Sequence, residues 1–194
     1  TASQVAEAVP LMNFQRTSLL RTPGGLGVDV IQVGAAVGTR PTAVIIARAH
    51  PGEVPASWLM RGVCDFLLAA TSTEAEACRA SLHWLLVPLL NPDGVVLGNT
   101  RTNLAGVDLN RHHHDEAAPE TTSLRTLLDA TSEAAGPPLA FVDIHGHSRR
   151  RGIFLMGNAG GSTRLVELLS QQSPLFDADG SSFYAQSSAK DLGV

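Results

Sequence analysis

The chain has 194 residues, of which 44% are apolar and 16% charged, against a typical charged share of about 25%. That composition excludes a disordered segment, and the length allows a sizeable buried core within one domain. A formal net charge of −4 and a pI near 5.9 offer nothing to a nucleic acid or an anionic membrane surface, and no apolar run approaches the roughly 18 residues of a spanning helix.

In chain order, short apolar runs predict strands at Val28–Val33, Ala43–Ala47, Leu82–Val87, Leu139–Ile144 and Gly152–Leu155. Between them, Val54–Ala70 reads as a helix, with Trp58, Leu59, Val63, Phe66 and Leu67 spaced at threes and fours. Further helical patterns cover Thr73–Ser81, Thr121–Ala134 and Ser162–Gln171. This alternation predicts an α/β fold, a mixed and mostly parallel sheet with helices on both faces. No repeat and no Gly/Ser or Pro linker parts the chain, so residues 1–194 are expected to form a single domain. The two cysteines, Cys64 and Cys78, fall in segments expected to be helical; they make no disulfide framework and fit a reducing compartment. The chain begins at Thr1 without an initiator methionine or a signal-peptide pattern, and it ends at Val194 shortly after a Ser/Gly stretch, so a piece of a longer protein is expected.

Polar motifs follow the expected strands, and open α/β sheets gather their sites at the carboxyl ends of strands. After Ala43–Ala47 comes His50-Pro51-Gly52-Glu53, directly before a helix. Pro51 fixes one φ and Gly52 frees another, so the turn can aim both side chains at one point. A histidine and a carboxylate are two of the three protein ligands of a His₂Glu catalytic zinc site. The plainer alternative is a first-turn glutamate favoured by the helix dipole beside an ordinary loop histidine.

After Leu82–Val87 comes Asn91-Pro92-Asp93-Gly94, a strong turn signal, then Asn99-Thr100-Arg101 and Asp108-Leu109-Asn110-Arg111. Two arginines and an asparagine in loop-like sequence suit recognition of a carboxylate, since Arg offers a planar bidentate fork. The alternative is solvated arginines in surface ion pairs. His112, His113 and His114 cannot all point at one metal from an extended strand and are expected to form an exposed loop outside the site. The run Leu139–Ile144 ends in His145, a natural third ligand, with Asp143 on the same face of the strand and able to orient its imidazole. His147, two residues on, competes for the ligand role, and a satisfied core histidine is the structural alternative for either.

Taken in order, His50-x-x-Glu53, Asn91-Pro-Asp-Gly94, Asn99-x-Arg101, Asp108-Leu-Asn110-Arg111 and His145-Gly-His147-Ser148 resemble the zinc metallocarboxypeptidase family. The phrases from Trp58 to Val63 and from Asp143 to Arg149 are similar to its cytosolic carboxypeptidase branch, whose better-known members trim glutamates from tubulin tails. The likeness spans about Thr22 to Gly157. It implies a zinc-dependent hydrolase of C-terminal peptide bonds, acting in the cytoplasm on protein or peptide tails, glutamylated tubulin among them. It implies zinc ligation by His50, Glu53 and His145, oxyanion stabilisation by Arg101, and capture of the substrate's terminal carboxylate by Asn110 and Arg111. The same family places its proton-transferring glutamate well downstream of the last ligand. Here only Glu167 follows His145, inside an expected amphipathic helix and too early in the order. The general base and the pocket's aromatic lid are therefore expected beyond Val194, and the chain alone is expected to be poorly active. Arg149, Arg150 and Arg151 would make a cationic rim for acidic tails, or simply a solvated basic turn. Two alternatives stand beside the peptidase: an aspartoacylase-type zinc deacylase, and an inactive module that grips C-terminal tails.

Overall fold

The computed structural model describes residues 14–112, 116–158 and 163–184. These fall into two compact units with the boundary between Gly146 and His147.

The first unit is built on a five-stranded sheet in the order β1-β2-β4-β3-β5. Its strands are β1 (Phe14–Arg21), β2 (Gly27–Gly34), β3 (Thr42–Ala47), β4 (His83–Val87) and β5 (Ala140–Ile144). β3 pairs parallel with both β4 and β5, whereas β2 pairs antiparallel with both β1 and β4. Every strand but β2 therefore runs in one direction, and the sheet is mixed as expected. Strand periodicity divides the core. Val28, Val30, Val44, Ile46, Leu85 and Val87 point to one face, where Leu124, Leu127 and Leu128 of α4 (Pro119–Ala135) cover them. Ile31, Val33, Ala47 and Leu86 point to the other, against Ala56, Met60 and Cys64 of α1 (Val54–Cys64) and against Leu67 and Leu68. Helices thus flank both faces of the sheet. Cys64 and Cys78 are free thiols, and burial pushes Cys64 up to about 11, where it is chemically inert.

Several elements, β7 of the second unit among them, depart from the sequence reading. β1 has no counterpart among the expected strands: most of its residues are exposed, so it carries little apolar alternation and exists by pairing with β2. The expected Val54–Ala70 helix is α-helical only to Cys64 and then widens into a π-turn over Asp65–Ala69. There two consecutive leucines, Leu67 and Leu68, are both buried, and Arg79 of α2 (Thr73–Ser81) donates to the carbonyls of Leu67 and Ala70. The buried stripe of α1 is Ala56, Met60 and Cys64, spaced by four, whereas the bulkier Trp58 is 74% exposed. The Asn91–Gly94 turn signal opens a short helix, α3 (Pro92–Leu97). Asn91 caps it by accepting from the Gly94 N–H at 3.0 Å, Pro92 opens it, and Gly98 ends it in the left-handed region.

The second unit holds β6 (Met156–Asn158), α5 (Thr163–Gln172) and β7 (Ser182–Tyr184), with β6 and β7 paired in parallel. The strand expected at Gly152–Leu155 is displaced. Only Ile153 makes an isolated bridge, to Phe176, and the paired segment starts at Met156. Gly152 explains part of this, because its φ of +79° breaks the extended backbone.

Candidate metal centre

The loops leaving the carboxyl ends of β3, β4 and β5 carry the motifs, and each loop is held to its neighbours by backbone groups. The end of β3 and the loop after it are tied down at three positions. The carbonyl of Ala47 accepts from the Leu90 N–H at 3.0 Å, that of Ala49 accepts from the Asn91 side-chain amide at 3.1 Å, and the Gly52 N–H donates to the Thr100 carbonyl at 2.9 Å. Asn91 therefore does two tasks, capping α3 and fixing the backbone beside His50. Asp93 anchors the far side of α3, accepting from the Thr22 hydroxyl at 2.6 Å and the Gly24 N–H at 2.8 Å. Gly94 lets these pieces pack, since a Cβ there would collide with the Pro51 ring and would stand 2.6 Å from the Thr102 carbonyl oxygen.

The structure brings His50, Glu53 and His145 together. One ligating atom from each lies within 4.8 Å of the others, and the two imidazole ring centres are 4.8 Å apart. Both Nδ1 atoms turn toward the Glu53 carboxylate, at 2.8 Å for His50 and 2.9 Å for His145. Both Nε2 atoms turn outward to carboxylates, to Asp108 at 3.0 Å and to Asp143 at 2.8 Å. Two imidazoles and a carboxylate, with each histidine held from behind by an acidic group, form a donor set that fits a zinc ion.

The electrostatics agree with a site built to concentrate negative charge around two imidazoles. Burial alone would raise the Glu53 carboxyl. Hydrogen bonds from His145, His50 and the Gly146 N–H outweigh it and hold the group well below the usual carboxylate range. Burial would lower His145, but Asp143 and Glu53 on its two nitrogens carry it up to about 9. Asp108 is held low against its own burial by His50, the Asn110 N–H and Arg101.

The residues expected to meet substrate converge on Asp108. Arg101 donates Nε to it at 2.6 Å, and the backbone N–H of Asn110 donates to it at 2.9 Å. Arg111 lies alongside, donating to the Asn110 carbonyl at 2.9 Å. The sequence reading assigned Asp108 no role of its own; its signal was its place at the head of the Asp108-Leu-Asn110-Arg111 phrase. His147 has a different employment from the one considered for it. Its Nδ1 accepts the N–H groups of Arg149 and Arg150 at 3.2 and 3.1 Å, and its ring meets Phe154 edge-on. Arg150 stacks over Phe154 and donates to the Gly180 carbonyl, while Arg149 and Arg151 are exposed. Glu167 is an exposed residue of α5 paired with Arg164 at 2.9 Å. His112 is exposed, and His113 and His114 lie outside the described residues.

The zinc carboxypeptidase family profile matches residues 15–150. The chain is 32% identical to cytosolic carboxypeptidase 1 of Danio rerio over 94% of its own length and 19% of that protein. It is 41% identical to cytosolic carboxypeptidase 1 of Mus musculus over 61% of the chain and 10% of that protein. Among solved structures, a metallo-carboxypeptidase from Burkholderia cenocepacia superposes with a TM-score of 0.79 at 28% identity, over 97% of this chain and 52% of that one. The chain thus spans a fifth or less of these curated relatives and about half of the solved enzyme.

Proposed function

Because the chain belongs to the zinc carboxypeptidase family, we propose that it is the metal-binding part of a cytoplasmic metallopeptidase that removes C-terminal residues, glutamate above all, from protein or peptide tails. The observation that carries this reading is the convergence of His50, Glu53 and His145 on one point, with Arg101 and Asn110 joined to the same cluster through Asp108. The tail specificity and the cytoplasmic setting rest on the cytosolic carboxypeptidases it resembles, and glutamylated tubulin is the protein substrate the reading points to first.

In this reading His50, Glu53 and His145 hold the zinc ion. When bound, zinc supplies Lewis acidity, polarising the scissile carbonyl and lowering the pKa of water. Asp108 and Asp143 accept the Nε2–H of the two histidines, which fixes the tautomer and leaves each Nδ1 lone pair on the metal side. Arg101 uses its Nε on Asp108, so its terminal nitrogens are the donors that meet the developing oxyanion. Asn110 and Arg111 take the substrate's terminal carboxylate, whose planar geometry the guanidinium matches. Glu53 is itself a zinc ligand in this reading, with its carboxylate also accepting from the Gly146 N–H, and cannot also shuttle the proton. We assign that task to a glutamate in the remaining half of the catalytic domain, which this chain does not span.

The test is an assay of the full-length protein on peptides ending in glutamate, on the same peptides ending in leucine or lysine, and on N-acyl amino acids. The reading predicts release of free glutamate from the first set, abolished by chelation and by H50A. Cleavage of the N-acyl amino acids alone would make the protein a deacylase, and tail binding without release would make it a binding module.

A further inference from the structure

Arg48 is the single non-glycine residue among the described residues with a left-handed backbone, at φ +62°. It follows β3 directly and stands two residues before His50. Its side chain is buried, with the residue only 8% exposed. One terminal nitrogen donates to the Ser57 hydroxyl at 2.7 Å and the other to the Pro51 carbonyl at 2.5 Å, while Nε has no partner among the described residues.

Each of these features is unfavourable for an arginine. A Cβ crowds the carbonyl oxygen in the left-handed region, and a buried cation with an unpaired donor loses hydration it does not recover. Strain of this kind persists only where the surrounding structure imposes it, and it collects at functional sites. The two acceptors indicate what is gained. Pro51 lies between the two ligands His50 and Glu53, and Ser57 lies one helical turn past Glu53 in α1. The guanidinium therefore spans the segment that carries both ligands, and its charge is attracted to the Glu53 carboxylate. A lysine has the charge but lacks the fork that bridges two acceptors in fixed geometry.

We propose that Arg48 is a positioning residue of the metal centre: its buried fork, locked to Pro51 and Ser57, aims His50 and Glu53 before the metal arrives. This rests on the zinc reading above and adds a residue to it. Arg48→Gly is the diagnostic variant, because glycine adopts the left-handed backbone without strain and removes only the fork. The readouts are zinc affinity by competition with a chromophoric chelator, the visible absorption of the cobalt-substituted protein, and the melting temperature of the metal-free protein. R48G is expected to bind zinc roughly 10- to 100-fold more weakly, the usual range for groups that orient metal ligands. Its cobalt bands should shift, with little change in metal-free melting. R48K should show a loss in the same direction. Parental affinity and an unaltered cobalt spectrum in folded R48G would overturn the proposal, as would full rescue by R48K. Should R48G fail to fold, R48K alone decides between the same outcomes. A parent protein that takes up no zinc would overturn the metal reading itself, whereas parental affinity in R48G would remove only the role of Arg48.

Discussion

A single carboxylate, Asp108, accepts from His50, from Arg101 and from the backbone of Asn110. Removing its charge should therefore be felt in several roles at once. Asp108→Asn is expected to weaken zinc binding by roughly 10- to 100-fold and to lower kcat as well, read by chelator competition and by steady-state kinetics. His50→Ala and His145→Ala should abolish zinc binding, whereas Arg111→Ala should spare zinc and weaken peptide binding. Equal zinc loss in all three would overturn the division of roles. Protons and metal compete for the same imidazole atoms. With His145 carried up to about 9, zinc affinity should rise with pH through neutrality to about pH 9, and each metal bound should release protons. Calorimetry in buffers of different ionisation enthalpy measures that release. The metal-free protein has its own pH dependence. His145 is raised above its ordinary 6.5, so its contribution to stability is complete below that value and is lost as pH climbs through about 9. Glu53 is depressed, so its contribution is present above its ordinary 4.5 and disappears in strong acid. Urea titrations in the presence of a chelator should find these two contributions both intact between about pH 5 and 6.5.

At the scale of elements, the register of α1 makes the clearest prediction. Met60 is buried among sheet residues while Trp58 is 74% exposed, so Met60→Ala should cost about 2–5 kcal/mol and Trp58→Ala no more than about 0.5. Chemical denaturation of the two variants checks this, and the reverse order would mean the helix is rotated. Gly94→Ala should cost about 1–3 kcal/mol through its collision with Pro51, in the loop that carries His50 and Glu53. The helix itself was legible because a 3.6-residue period survives whichever stripe is chosen. Its face was not, because the buried stripe of alanine, methionine and cysteine is less conspicuous than the tryptophan and phenylalanine turned outward. β1 escaped notice for a related reason: an exposed edge strand carries no apolar code, and its partner defines it. The short helix α3 was hidden inside a turn signal, since Asn, Pro and Gly serve turns and helix ends alike. The convergence of His50, Glu53 and His145 was legible because they follow β3 and β5, whose apolar runs mark them as neighbouring strands. Asp108 and Arg48 were not, since their importance lies in what they touch across 58 residues of sequence in one case and in a backbone angle in the other.

At the scale of the whole molecule, three parallel strands deliver three loops to one end of a sheet, and those loops bring His50, Glu53 and His145 together inside the segment that matches the zinc carboxypeptidase family. The proposed metal centre lies wholly within the first unit, and the chain spans about half of the metallo-carboxypeptidase it superposes on. On the proposed reading, His50, Glu53 and His145 together hold one zinc ion. The most direct measurement is the zinc content of the purified protein beside that of its His50→Ala variant. One zinc per chain, absent from the variant, is the predicted result. A folded protein without zinc, or one that keeps its zinc when His50 is replaced, would contradict it.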